Sequence, residues 1–241
     1  DCTTATSNVS YTTIGVDGSL GSWSSTTASL VGPRTWGKLL TVGGSLYYIG
    51  GQSSSATDER VEIYYATPTG SGDITSWTAV TNPLPFARTR FAATTWNERI
   101  YVVGGINING TTVGNVWVSP RLTSGGDITA AWDTGATDLA VPRWGSTLIA
   151  YANNLYLLGG YDGTNYLNDV QYAKINSTNG SVGSWSYTTS LPTNLSQAEG
   201  FATNGYIYLF GGRSDATTCS PNIYVAPISA NTTIASGNNP T

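Results

Sequence analysis

Four times along this 241-residue chain an apolar run ends in a pair of glycines: Leu46 to Gly51, Ile100 to Gly105, Leu155 to Gly160 and Ile207 to Gly212. The glycine pairs lie 54, 55 and 52 residues apart. A second marker, a tryptophan preceded by small residues, falls at Trp23, Trp77, Trp132 and Trp185, with spacings of 54, 55 and 53. Two independent markers share one period, which establishes an internal repeat and confines the chain to an array of like units.

Within each period, short stretches rich in Tyr, Val, Ile, Thr and Trp alternate with Gly, Asn, Asp and Ser clusters that punctuate turns. No helical periodicity competes with them. In the third copy the predicted strands are 144–150, 154–158, 169–175 and 184–189. Four strands per unit make one blade of a β-propeller, and the chain resembles the kelch family, whose repeats carry a hydrophobic strand ending in Gly-Gly, then an aromatic, then a Trp. The matching residues are the four glycine pairs, the aromatics Tyr64, Trp117, Tyr172 and Tyr224, and the four periodic tryptophans. The stretch from Tyr172 to Trp185 is longer than the usual kelch spacing and carries an inserted turn at 180–184, repeated at 18–22 and 72–76. In this the chain looks more like bacterial secreted kelch proteins than the eukaryotic ubiquitin-ligase adaptors. Glycine permits positive φ and close approach of the next blade, and Trp fills space between blades, so both markers read as packing.

The resemblance implies an all-β propeller in a single domain, expected to have four blades. Segments 9–14 and 22–27 match third and fourth strands, while 198–203, 206–210 and 222–228 match first, second and third. The last blade is therefore expected to be shared between terminal segments 8–27 and 198–228, with one strand surplus and a flexible tail at about 229–241. Register places Cys2 and Cys219 in equivalent loops. In a four-bladed ring a Cys2–Cys219 disulfide would clamp the closure, contributing about 4–5 kcal/mol on the chain-entropy account. Two unrelated thiols, a segment of a larger propeller, and pairing of the surplus strand with a neighbouring molecule stay open.

Only 10% of the residues are charged, whereas Ser and Thr number 62, so polarity comes from hydroxyls and amides. With a net charge of −4 and ten scattered Lys and Arg, there is no basic stripe to neutralise phosphates, and nucleic acid is not an expected partner. No apolar run approaches the roughly 18 residues of a membrane span. The chain contains no Met and starts at Asp1. Export after removal of a signal, to an extracellular or cell-surface location, is the simpler expectation; a piece of a longer product is the other.

There is no histidine, which rules out imidazole metal sites, Ser-His-Asp nucleophiles and the His-ligated copper chemistry of kelch-type galactose oxidases. Two distant cysteines make no zinc site, and no pair among Glu59, Glu62, Glu98 and Glu199 is set by the repeat for glycoside hydrolysis. No enzyme activity, cofactor or metal is expected. The candidate ligand-binding residues are Arg34, Arg88 and Arg143, equivalent positions before the first strand of a blade, where the fourth copy has Leu195. A guanidinium offers a rigid fork of donors for carboxylate or sulfate; the alternative is that each caps neighbouring carbonyls or pairs with an acidic residue. Loops expected on the same face carry Tyr161, Asp162, Asn165 and Tyr166, and Arg213 with Asp215, aromatic and polar groups of the kind that bind sugars. The favoured function is a binding or adhesion module for glycans or proteins. The alternatives are a self-assembling filament or surface-layer subunit joined by terminal strand addition, and a sugar enzyme resembling sialate mutarotases, served by the arginines and Glu199.

Overall fold

The computed structural model describes residues 6–53 and 58–228, and all regular structure among them is antiparallel sheet. An N-terminal hairpin pairs β1 (Ser10–Tyr11) with β2 (Ser24–Ser25). The first sheet holds β3 (Lys38–Val42), β4 (Ser45–Ile49), β5 (Ile63–Ala66) and β6 (Thr78–Ala79). The second holds β7 (Ala92–Trp96), β8 (Arg99–Val103) and β9 (Val116–Val118), with a single bridge from Val118 to Asp133 where a fourth strand would lie. The third comprises β10 (Thr147–Tyr151), β11 (Asn154–Tyr161), β12 (Tyr166–Lys174) and β13 (Ser186–Thr188). The fourth comprises β14 (Glu199–Thr203), β15 (Tyr206–Phe210) and β16 (Ile223–Pro227).

The first hairpin of every sheet closes on two residues with positive φ: Gly43 and Gly44, Asn97 and Glu98, Ala152 and Asn153, Asn204 and Gly205. Such turns match the right-handed twist of the strands they join. The inner strands β3, β7, β10 and β14 succeed one another around an axis, and residues from all four line one central cavity.

Between sheets the repeat explains itself. The second glycine of the first three pairs donates its N–H to a carbonyl of the next copy: Gly51 to Arg88 at 2.9 Å, Gly105 to Arg143 at 2.8 Å and Gly160 to Leu195 at 2.8 Å. A Cβ on the first glycine would lie 2.8 Å, 2.4 Å or 2.1 Å from those same carbonyl oxygens at Gly50, Gly104 and Gly159. Tyr47 and Tyr101 are buried and donate their hydroxyls to the next copy's turn, to the carbonyls of Gly126 at 2.7 Å and Gly180 at 3.1 Å. The tryptophans reach backwards, Trp132 Nε1 to the Asn82 carbonyl and Trp185 Nε1 to that of Thr137, both at 3.2 Å. Three apolar clusters follow, between the first and second, second and third, and third and fourth sheets.

The closing blade differs from expectation. β16 takes the third place in the fourth sheet, and β1 and β2 form a separate two-stranded sheet, so the terminal strands are not shared in one blade. The hairpin instead sits against the first sheet as a preceding blade would, with the Thr27 N–H on Asp73 at 2.8 Å and the Ala28 N–H on the Ile74 carbonyl at 2.8 Å. The Thr81 contact with Asp127 one copy later repeats this arrangement. Across the remaining seam, the fourth sheet meets the first through Lys38 and Glu199, 3.2 Å apart, and its outer face shows Phe201, Phe210 and Ile223 to solvent. A Cβ on Gly211 would meet nothing nearer than the Ser220 carbonyl oxygen, at 3.8 Å. Cys219 is an exposed free thiol; Cys2 and the tail at 229–241 lie outside the described residues. The expected Cys2–Cys219 bond therefore lies outside the described residues.

Candidate functional site

At one end of the axis the chain enters each inner strand through a residue in the left-handed region: Trp36 (φ 58°), Arg90 (φ 55°), Gly145 (φ 66°) and Gln197 (φ 59°). These are equivalent positions, and backbone hydrogen bonds link them in succession. Arg90 N–H donates to the Trp36 carbonyl at 3.0 Å, Gly145 to Arg90 at 2.9 Å and Gln197 to Gly145 at 2.6 Å. Left-handed backbone at a non-glycine residue costs on the order of 1–3 kcal/mol and persists where surrounding structure imposes it, often at binding sites. Here the linked carbonyls impose it.

The side chains of this ring surround a cavity of about 330 Å³ at the channel mouth, lined by Trp36, Lys38, Arg90, Trp144, Gln197 and Glu199 among others. A second cavity of about 410 Å³ also includes Lys38 and Glu199 and follows the inner strands. Gly145 contributes no side chain, which leaves the mouth open on that side. The Arg90 guanidinium lies over both Trp36 and Trp144, 4.6 Å and 5.0 Å from their ring centroids. The aromatic run continues outward: Trp144 meets Tyr161 edge-on at 5.2 Å, and Tyr161 meets Tyr166 at 4.8 Å. Burial pushes the Arg90 pKa down from its ordinary value, although the side chain stays a cation at neutral pH.

The arginine column predicted to bind ligand does other work. Arg88 is 1% exposed and Arg143 2% exposed, so neither presents a surface to a ligand. Arg143 donates to Asp169 at 2.8 Å, to the Gly159 carbonyl at 3.1 Å and to the Val141 carbonyl at 3.2 Å. Arg88 lies 4.3 Å over the Trp117 ring and donates to Asn115 at 3.2 Å, with burial lowering its pKa to about 10. Arg34, half-buried, donates to the carbonyl of its neighbour Pro33. The arrangement in which an arginine caps carbonyls and pairs with an acidic residue is the one seen at Arg143, while Arg88 packs on an indole and bonds an amide.

The loop residues divide. Tyr161 and Tyr166 join the aromatic run, whereas Asp162 accepts the backbone N–H groups of Thr164 and Asn165, both at 2.7 Å, and so shapes its own turn. Hydrogen bonding to the Asn165 backbone is the leading reason its pKa falls below the ordinary value. Arg213 donates to the Ala216 carbonyl, and Asp215 accepts from Thr217 and Thr218 in the same fashion, which holds its pKa far below normal. Trp36, Lys38, Arg90, Trp144 and Gln197 went unnoticed in the sequence. For Trp36, Arg90 and Gln197 the signal was a column two positions past the arginines that varies from copy to copy: Trp36, Arg90, Gly145, Gln197.

The KLHDC2/KLHL20/DRC7 Kelch-repeats domain matches residues 37–232 of the chain. Among solved structures, that of YjhT is similar in fold, with a TM-score of 0.56 and 12% identity over 90% of this chain and 87% of that one. No curated protein sequence matches. Periodic glycine pairs, blade-like sheets succeeding one another about an axis, and the match over most of the chain place the protein in the kelch-repeat family of β-propellers.

Proposed function

We propose that the protein is an extracellular binding module that takes a glycan at the mouth of its central channel. The carrying observation is the run Trp36, Arg90, Trp144, Tyr161, Tyr166, in which aromatic rings and one cation lie in contact from the channel to the outer loop. Aromatic faces stack on the apolar faces of sugar rings, while Lys38, Gln197 and Glu199 at the rim supply partners for hydroxyls. A binding role is favoured over catalysis because the loop carboxylates Asp162 and Asp215 fold their own turns, and Glu199 faces Lys38 without a second carboxylate beside it in the mouth. Low charge and abundant hydroxyl side chains support the extracellular assignment.

A glycan array probed with the parent protein and with Trp36→Ala and Trp144→Ala tests the reading. Binding in the parent that falls at least tenfold in both variants is expected. An array without signal, or variants that bind like the parent, would remove the site.

Self-assembly is the second reading, supported by the uncovered outer face of the fourth sheet, with a second copy of the chain as occupant. Sedimentation velocity across a concentration series checks it: a single monomeric species throughout would end it.

A further inference from the structure

Arg90 is a cation without a counter-charge. Its guanidinium is pressed between two indole rings, and among the described residues no carbonyl or carboxylate accepts a hydrogen bond from it. Of the two other arginines withdrawn from water, Arg143 holds Asp169 at 2.8 Å, whereas Arg88 holds only Asn115, itself bonded to Asp138 at 2.9 Å, and at 1% exposure is closed to any ligand. At the mouth the other two charges, Lys38 and Glu199, face each other at 3.2 Å, which leaves one net positive charge in a cavity of about 330 Å³.

We propose that the Arg90 guanidinium, clamped between Trp36 and Trp144, receives a carboxylate of the ligand, so that the module selects acidic saccharides over neutral ones. This rests on the glycan reading above and names the ligand class for the same site. Three features of the geometry converge on it. Contact with two aromatic faces holds the guanidinium without consuming its N–H donors, so the fork stays available to a planar group. A carboxylate matches that fork with two parallel hydrogen bonds, a match that an ammonium does not offer. The single uncompensated charge at the mouth suits one carboxylate of the ligand. The sugar ring bearing the carboxylate would lie beside Trp144 and the tyrosines, where stacking surface continues outward.

Calorimetric titration with a tetragalacturonide, with its carboxyl-reduced neutral tetrasaccharide and with a sulfated neutral tetrasaccharide decides the matter. The expected result is that the acidic sugar binds the parent about 10- to 100-fold more tightly than the neutral one, the range of a charge-assisted pair. That preference vanishes in Arg90→Gln and is partly kept in Arg90→Lys, which retains charge but loses the planar fork. Equal affinity for acidic and neutral sugars in the parent overturns the proposal and leaves the glycan site standing, as does an Arg90→Gln protein that keeps the preference. Equal binding of the sulfated sugar overturns the carboxylate assignment. Binding of none of the three overturns the glycan reading itself. Should Arg90→Gln fail to fold, the parent decides through salt: the acid preference must shrink as ionic strength rises, and a salt-independent preference counts against Arg90.

Discussion

One position in the repeat measures how far each sheet is covered by the next. Ile63, Val116, Val170 and Ile223 pair with the last apolar residue of the second strand in their respective sheets, and they are 0%, 0%, 0% and 45% exposed. Changing Ile63 to Ala removes a wholly enclosed side chain from the first apolar cluster, so both transfer and cavity terms apply and the cost is about 2–5 kcal/mol. Ile223→Ala removes a side chain that is nearly half in water and encloses no cavity, for a cost of about 1 kcal/mol. For a chain of this size 1 kcal/mol moves the melting temperature by about 2–4 °C, so the first variant should fall by roughly 5–15 °C and the second by no more than about 4 °C. Thermal unfolding followed by circular dichroism reads both. Equal losses would mean that the seam after the fourth sheet is covered like the other three, and the arrangement described above would be wrong there.

Other consequences are equally direct. Arg143→Met should destabilise by about 3 kcal/mol, because it removes the counter-charge of Asp169 and a donor to two carbonyls, and it should leave sugar affinity unchanged; loss of binding with stability intact would restore the arginine column as a site. Gly104→Ala and Gly211→Ala impose the same backbone strain at φ 65° and 62°, but only the former drives a Cβ to 2.4 Å from the Arg143 carbonyl oxygen, so it should be markedly less stable in chemical denaturation. Asp73 and Asp127 are held below the ordinary value of 3.8, first by the hydroxyls of Thr27 and Thr81. A carboxylate with a depressed folded pKa stabilises fully above its unfolded value and loses that contribution as pH falls through the folded one. Stability should therefore be level from neutrality down to about pH 5 and decline only below about pH 4, and loss centred near pH 6 in pH-dependent melts would contradict this. Tyr47, Tyr101 and Tyr156, each raised to about 12 by burial, should escape the main phenolic titration near pH 10 in ultraviolet absorbance.

The blades were legible in the sequence because their markers answer to backbone constraints that recur at every interface. A glycine whose Cβ would strike the next copy's carbonyl must be glycine in each covered blade, and so it stands out. The closure was not legible, because strand identity alone cannot tell whether segment 22–27 completes the fourth sheet or rests against the first; contacts such as Thr27 on Asp73 decide that, and they are invisible in a linear pattern. The arginine column misled for a related reason. Repetition of Arg34, Arg88 and Arg143 across copies suggests a ligand face, whereas Arg88 and Arg143 are buried in packing between copies. The neighbouring column, which changes from Trp36 to Arg90 to Gly145 to Gln197, is free of that duty and lines the mouth. Tyr161 and Tyr166 lie in the aromatic run that leads out from the mouth, whereas Asp162 is occupied by its own turn, whose hydrogen bonds look the same in sequence as a carboxylate offered to solvent.

The claim that the channel mouth is the binding surface can be tested on Arg90 itself. In protein labelled with nitrogen-15 at arginine, the Arg90 Nε–H resonance should shift and slow its exchange with water as tetragalacturonide is added, with those of Arg88 and Arg143 unmoved. An Arg90 signal that stays in place while resonances elsewhere follow the titration would put the ligand somewhere else and contradict the account.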